Sequence, residues 1–593
     1  MDERDGRRRV WCALVRRPLD PGGLPVAPVD LTTVLDRLVA GAATFAAIDR
    51  DDRGALARRT AVATAAVADA WAATALAIKH ATGATGAALA EEIATGPMAT
   101  IRLCLLHARA EADIARDGRP QAAAPPKLLH PGRRTVGGTP APLVGIDVLP
   151  ARGPSGSLHD ATIFGGVRAT VRCVDPGGLT AFDRSWRREV EERPRTGGVA
   201  VVLGAGNVTG LAPADALAQI FEHGRAVLLK LHPLHEPLEP VLRTALAPLV
   251  DAGLLAIVSG GADTARAAIA APQATHVHVT GGLATYEAIL WGGPRPADPH
   301  ARPHPRTTIT CELGNVTPWF ILPGRYSRAA LAFQADQVSA SIVNNTSFNC
   351  IATKVLVTCR SWDQREEFLA LVRRRLESVP PRPAWYPAAT RTWEEATGQS
   401  APGDGTLPWW MACDVDPASD DRLLRREWFV PVVAEVPLAA ASLAEFAGRS
   451  LEFAHRLPGS LAAAVTVPDG LSTADRQHAE QVVDHLAFGV VAVNGWAALA
   501  YALGNVPWGG FPGGTLTDPK SGLGFVHDPL LLPLVHNSVI RCPLSAMLRP
   551  AWFPWHGSGA RLARGVVDLY ARCAEGRASA WTLASMLPAV LRG

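Results

Sequence analysis

The sequence predicts an α/β protein built on a doubly wound parallel sheet. Two observations carry that expectation. Across residues 198–290 short apolar runs alternate with helical patterns, the rhythm of strand and crossover helix that a parallel sheet requires. Residues 31–117 are rich in Ala, Leu, Arg and Glu with almost no proline, which reads as a helical opening segment. With 593 residues and 48% hydrophobic content the chain has material for two to four domains, each with its own core.

The first residues, Met1-Asp2-Glu3-Arg4-Asp5, are charged in both senses, and Arg16 and Arg17 break the apolar run that follows, too soon for a signal peptide. Residues 61–75 are mostly alanine and carry Asp69, which falls short of a bilayer span. Nine cysteines without a CxxC pair fit a reducing compartment better than a disulfide framework or a zinc site, so a cytoplasmic location and no bound metal are expected. The net charge of +3 offers no broad basic field, so nucleic acid is not an expected partner and a small molecule is.

A Pro/Gly-rich stretch at 119–138 ends the helical segment, and residues 143–149 and 167–174 read as strands of a hairpin or sheet edge. Strands follow at Val199–Leu203 and Ala226–Lys230, at 254–258 and at 276–279. Between them helical patterns occupy 213–223, with Pro213 at the first helical position, 238–252, and the residues from Asp263 onward. Ligands bind such sheets at the carboxyl ends of the strands. Gly204 to Asn207, Lys230 and Thr280 to Gly282 are therefore the positions to read first. A second α/β unit is expected from Glu312 to Trp496, then a Gly/Pro/Trp-dense part from Tyr501 whose last helical pattern covers 559–591.

Glu312 lies in Thr310-Cys311-Glu312-Leu313-Gly314-Asn315, and Cys350 closes Asn344-Asn345-Thr346-Ser347-Phe348-Asn349-Cys350, just before Val355-Leu356-Val357. A thiolate can attack an electrophilic carbon, and a carboxylate nearby can activate the water that later breaks the covalent bond. Taken singly each residue has a plainer reading. A cysteine is more often a small buried hydrophobe, as read for Cys311 and Cys359, and Asn207 could be a turn residue. Lys230 alone is a solvated side chain, Thr280-Gly281-Gly282 a simple turn, and Glu427 a surface carboxylate beside Arg425 and Arg426. Lysine is scarce in this arginine-rich chain, however, and one that ends a strand is less readily a generic surface charge.

The ordered series Gly204-Ala205-Gly206-Asn207, Lys230, Thr280-Gly281-Gly282, Glu312-Leu313-Gly314, Cys350, Glu427-Trp428-Phe429-Val430-Pro431 and Pro507-Trp508-Gly509-Gly510-Phe511 resembles the aldehyde dehydrogenase superfamily, over about residues 31–528. The resemblance implies a Rossmann-like cofactor domain, an α/β catalytic domain and a bridging oligomerisation hairpin. It divides the chain into a helical part of the cofactor domain (1–140), bridging strands (141–195), a dinucleotide-binding part (196–311), a catalytic domain (312–500) and a returning segment with a C-terminal helical extension (501–593). It implies oxidation of an aldehyde to a carboxylic acid with NAD or NADP, in a homodimer or homotetramer. Cys350 would be the nucleophile, Asn207 with the Cys350 N–H the oxyanion donors, and Glu312 the base that hydrolyses the thioester. Lys230 would contact the cofactor ribose, and Thr280, Gly281 and Gly282 would lie by the pyrophosphate and nicotinamide. Leu313 would belong to the cofactor site, Glu427 would hold the nicotinamide ribose hydroxyls, and Phe429 would pack on the ring side.

The sequence also departs from that family. The loop before Asn207 lacks its aromatic-rich Pro-Trp-Asn segment and resembles that of fatty acyl-CoA reductases. Leu231-His232-Pro233 follows Lys230 where a carboxylate is usual, so NAD and NADP both stay open. Phe348-Asn349 replaces Gly-Gln before the nucleophile, and Glu312 stands 38 residues upstream of Cys350, a few more than usual. Two alternatives follow: an acylating enzyme that passes the thioester to coenzyme A, and a catalytically silent scaffold that keeps the fold.

Overall fold

The structure, a computed structural model, describes residues 30–590 except 137–138, 152–159, 161–162, 176, 194–196, 294, 297, 299–300, 304–306, 420, 580–583 and 585. The charged N-terminus, Cys12, Arg16 and Arg17 lie outside the described residues. Two sheets organise the molecule.

The first has six strands in the order Gly522–Leu523, Thr308–Leu313, Ala274–Gly281, Val199–Leu203, Ala226–Lys230, Leu255–Val258. All pairings among the last five are parallel. From Val199–Leu203 the chain winds outward through Ala226–Lys230 and Leu255–Val258, then returns to place Ala274–Gly281 on the other side of its starting strand. Strand order therefore reverses at Val199–Leu203, and a crevice opens at the carboxyl ends there. These strands read as unbroken apolar runs because both faces are covered: Val199–Leu203 and Ala226–Lys230 are buried at every position. The covering layer includes the helices between residues 31 and 117 and the late helix Gly559–Ala574, which share one core with the sheet.

The second sheet has ten strands. Six pairings among Val535–Arg541, Val490–Val493, Ala462–Thr466, Pro318–Ile321, Val355–Cys359, Val432–Leu438 and Trp410–Ala412 are parallel. Arg168–Val174, Thr139–Leu149 and Lys127–Val136 continue the sheet antiparallel to its edge.

Several sequence expectations need correction. The hairpin starts at Lys127, inside the stretch read as a Pro/Gly break, because proline is tolerated in an edge strand. Pro213 is the third residue of the helix Leu211–Leu217, not the first; any first-turn position spares the missing amide. The helical pattern at 238–252 is two short helices, Glu239–Ala245 and Ala247–Asp251, with Pro240 and Pro248 each near a start. Glu312 does not open the second unit: its strand belongs to the first sheet, pairing Glu312 with Thr280. The last long helix stops at Ala574, well short of 591. No single described helix is long and apolar enough to cross a membrane.

Candidate active site

A cleft of about 1040 Å³ lies at the strand-order reversal, walled by residues of the first sheet and by Cys350, Tyr386, Glu427 and Phe429 from loops beside the second. It brings together all ten residues singled out in the sequence. Asn207, Lys230, Thr280, Gly281, Gly282, Glu312, Leu313, Cys350, Glu427 and Phe429 all line it.

Cys350 stands between the helix Arg328–Val343 and the strand Val355–Cys359. The chain enters this turn through Asn345, Thr346 and Ser347, whose φ angles are 51°, 56° and 62°. Three successive non-glycine residues in the left-handed region are unusual, and Thr346 is β-branched. Such a turn persists only where its surroundings hold it. Lys354 supplies part of the hold: its buried ammonium donates to Ser347 O at 3.2 Å, to Ser347 Oγ at 2.8 Å and to Val430 O at 2.9 Å. Trp496 Nε1 donates to Ile351 O at 2.7 Å on the far side.

Glu312, 3% exposed, lies one residue from the end of its strand, against the nucleophile. The Cys350 thiol donates to Glu312 Oε1 at 3.3 Å, and Trp508 Nε1 donates to Glu312 Oε2 at 2.8 Å. Burial pushes the Glu312 carboxyl up to about 7, although both hydrogen bonds favour the carboxylate. Burial, then the neighbouring Glu312 charge, holds the Cys350 thiol well above its ordinary range. The resting sulfur is therefore a neutral thiol pointed at a carboxylate able to take its proton.

The strand Gly522–Leu523 lies antiparallel to the Glu312 strand, with Gly522 opposite Glu312. Leu313 N donates to Ser521 O at 2.8 Å, and Ser521 Oγ donates to Gly314 O at 2.9 Å. The carboxylate is thus fixed in place by the late segment that also carries Trp508.

Asn207 closes the loop after Val199–Leu203. A Cβ on Gly206 would sit 2.5 Å from His232 Nδ1, and one on Gly204 would sit 2.7 Å from Ala212 Cβ, so this loop needs its glycines. Asn207 Nδ2 donates to Phe348 O at 3.3 Å, two residues before the nucleophile. Its second amide hydrogen is left for the cleft.

At the other end Lys230 is 7% exposed, and its ammonium has no partner among the described residues. Burial lowers its pKa, with Glu236 opposing. Thr280 Oγ1 donates to the buried carboxylate of Asp215 at 2.9 Å, so one face of this cleft residue is already engaged. Gly281 and Gly282 would meet nothing within 4 Å if given a Cβ, so the backbone there is open to a ligand. Glu427 presses on the backbone: a Cβ on Gly314 would lie 2.0 Å from its Oε2. Its Oε1 has no hydrogen-bond partner among the described residues, and burial raises its pKa to about 8 against the pull of Lys354. Phe429 packs against Tyr386, with ring centroids 5.1 Å apart.

Sequence reasoning did not assign site roles to Trp508, Lys354, Asn345 or Tyr386. One available signal was the scarcity of lysine. Of 58 lysines and arginines only Lys79, Lys127, Lys230, Lys354 and Lys520 are lysine; Lys79, Lys230 and Lys354 are buried. Cys311 and Cys359 are buried in the two cores, and the eight described cysteines are all free thiols.

No protein-family model and no curated protein matches the sequence. Solved structures do resemble it. An NAD-dependent aldehyde dehydrogenase from Sinorhizobium meliloti is 15% identical, with a TM-score of 0.54 over 86% of this chain and 86% of that one. A glyceraldehyde-3-phosphate dehydrogenase from Methanocaldococcus jannaschii complexed with NADP is 12% identical, with a TM-score of 0.56 over 88% and 95%. A betaine aldehyde dehydrogenase point mutant from Staphylococcus aureus in complex with NAD+ is 14% identical, with a TM-score of 0.57 over 86% and 88%. The chain therefore shares the fold of aldehyde dehydrogenase structures across most of its length.

Proposed function

We propose that this protein oxidises an aldehyde to a carboxylic acid through a covalent bond to Cys350, with NAD or NADP as hydride acceptor. The observation that carries the reading is the contact of the Cys350 thiol with Glu312 Oε1 at 3.3 Å inside a cleft that also holds Asn207.

The cleft residues fit a dinucleotide. Among the described residues Lys230 offers a buried ammonium without a hydrogen-bond partner, Glu427 Oε1 a buried acceptor without one, and Gly281 and Gly282 a stretch of backbone with open space beside it. These groups suit ribose hydroxyls and phosphates, and Lys230, Glu427 and Phe429 are the residues that would hold the cofactor. When bound, the nicotinamide supplies the hydride acceptor.

The chain's own residues supply the rest. As the sulfur attacks the carbonyl carbon, Glu312 accepts the thiol proton. The Asn207 amide and the Cys350 N–H then receive the developing oxyanion, an arrangement worth about 3 kcal/mol per donor. Once the thioester stands on Cys350, Glu312, having released that proton to bulk solvent, takes a proton from water and directs the hydroxide to the acyl carbon; the C–S bond breaks, the acid leaves, and the sulfur regains a proton from Glu312. A carboxylate with a pKa near 7 serves both steps at neutral pH. Retention of Glu312 favours water over coenzyme A as the acceptor. The test is a panel of aldehydes with NAD or NADP, with and without coenzyme A. Acid formation without coenzyme A supports the proposal, and strict dependence on coenzyme A overturns it.

Two smaller effects follow. Asn207→Ala is expected to lower kcat about 100-fold with little change in dinucleotide affinity, since it removes one oxyanion donor; steady-state kinetics and a binding titration check this. Trp508→Phe removes the donor that favours the Glu312 carboxylate. Its pKa is expected to rise, moving the acid limb of the pH–rate profile to higher pH.

A further inference from the structure

Lys79 lies 271 residues before Cys350 in the chain, yet its ammonium reaches the turn that carries the nucleophile. It follows the helix Ala68–Ile78 as its C-cap and is 6% exposed. The ammonium donates to Glu92 Oε1 at 2.6 Å and to Asn345 Oδ1 at 2.8 Å, and sits 5.1 Å from the centre of the Trp385 ring.

Asn345 is the first of the three left-handed residues. Because a lysine can only donate, its contact fixes which end of the Asn345 amide is oxygen. Nδ2 is thereby turned to the carbonyls of Asn207 at 2.9 Å and Phe348 at 2.8 Å. One amide thus joins the oxyanion loop to the nucleophile turn, and the same Phe348 carbonyl also accepts from Asn207 Nδ2. The adjacent Glu91, paired with Arg382, accepts from Asn345 N at 3.3 Å. The helix Gly86–Ile93, which carries both glutamates, therefore braces the backbone of Asn345 while Lys79 braces its side chain.

We propose that Lys79 is a positioning residue for Cys350, acting through the Asn345 amide to keep the thiol on Glu312 and the Asn207 loop in register with it. The proposal rests on the cysteine chemistry above for its catalytic meaning. Removing the ammonium frees the Asn345 amide to flip, relaxes the left-handed run and lengthens the contact from Cys350 to Glu312. Thiolate formation then slows, because that contact is the thiol's route for its proton.

The test is the rate at which iodoacetamide alkylates Cys350, located by mass spectrometry, together with kcat and KM. Lys79→Met is combined with Glu92→Gln so that no buried carboxylate is left uncompensated, and Glu92→Gln alone is the control. The pair is expected to lower both the alkylation rate and kcat about tenfold, in keeping with the effect of a small misplacement, with dinucleotide KM within about twofold. Asn345→Ala is expected to give the same loss, and adding it to the pair no further loss. An unchanged alkylation rate, or losses that multiply in the combined variant, overturns the proposal. If the pair fails to fold, Asn345→Asp retains the lysine contact while losing both amide donors, and an alkylation rate within about twofold of the parent protein overturns it equally. Alkylation needs neither aldehyde nor dinucleotide, so a parent protein inactive toward aldehydes sinks the proposed oxidation and leaves this test standing.

Discussion

Cys350→Ser is expected to cut aldehyde-dependent reduction of NAD(P) by at least about a thousandfold, read as the absorbance of the reduced dinucleotide. The reason is specific to this pocket. Glu312 at 3.3 Å is poised to take a proton from a thiol, but a serine hydroxyl is far more weakly acidic, and a carboxylate with a pKa of about 7 cannot deprotonate it to a useful extent. Binding of NAD or NADP, followed by tryptophan fluorescence, is expected to survive, because the substitution leaves Lys230, Glu427 and Phe429 in place in the cleft. Undiminished turnover in the serine variant would rule out covalent catalysis at this position.

Glu312→Gln has the second-largest expected effect, a loss of about 10²- to 10⁴-fold in steady-state turnover, the range for removing a general base. The substitution keeps the shape of the side chain and leaves its amide oxygen as an acceptor for Trp508, but it cannot take a proton. Acylation slows because the thiol loses its proton acceptor, and hydrolysis slows because water loses its base. A rapid-mixing experiment should show acyl-enzyme accumulating where hydrolysis is the more impaired step. The pH dependence carries the same information. Glu312 acts when deprotonated, so turnover in the parent protein is expected to fall as pH drops through about 7 and to level off above it. In the glutamine variant that limb should vanish. A limb that stays in place would assign it to another group.

Much of the cleft was legible because its residues stand where the fold exposes backbone, directly after strands. Asn207, Lys230 and Thr280–Gly282 each follow or end a strand of the first sheet, and apolar runs with turn residues after them mark such positions without tertiary information. The legible residues also belong to types that are costly to bury without purpose, such as a lone lysine at a strand end. What the sequence concealed depends on long-range packing. Trp508 meets Glu312 across 196 residues of chain and Lys79 meets Asn345 across 266, separations at which no local pattern survives. The left-handed run Asn345-Thr346-Ser347 was illegible for another reason: none of the three is glycine, so local propensity argues against the conformation that tertiary contacts impose. The misplaced boundary at Glu312 has a similar origin, since nothing local tells that Thr308–Leu313 joins the first sheet and the next strand, Pro318–Ile321, the second.

The late strand Gly522–Leu523 and the Trp508 donor bear on the order in which a ribosome releases the chain. Glu312 and Cys350 emerge close together, but Trp508 and Ser521, which fix the carboxylate in its place, emerge more than 150 residues after the cysteine. A nascent chain that has reached Tyr501 contains the residues of the thiol, the left-handed turn and the oxyanion loop, but not those of the wall behind the base. Reactivity is in this way deferred until the chain has passed Ser521, and a shorter nascent chain carries a thiol whose proton acceptor is not yet held against it.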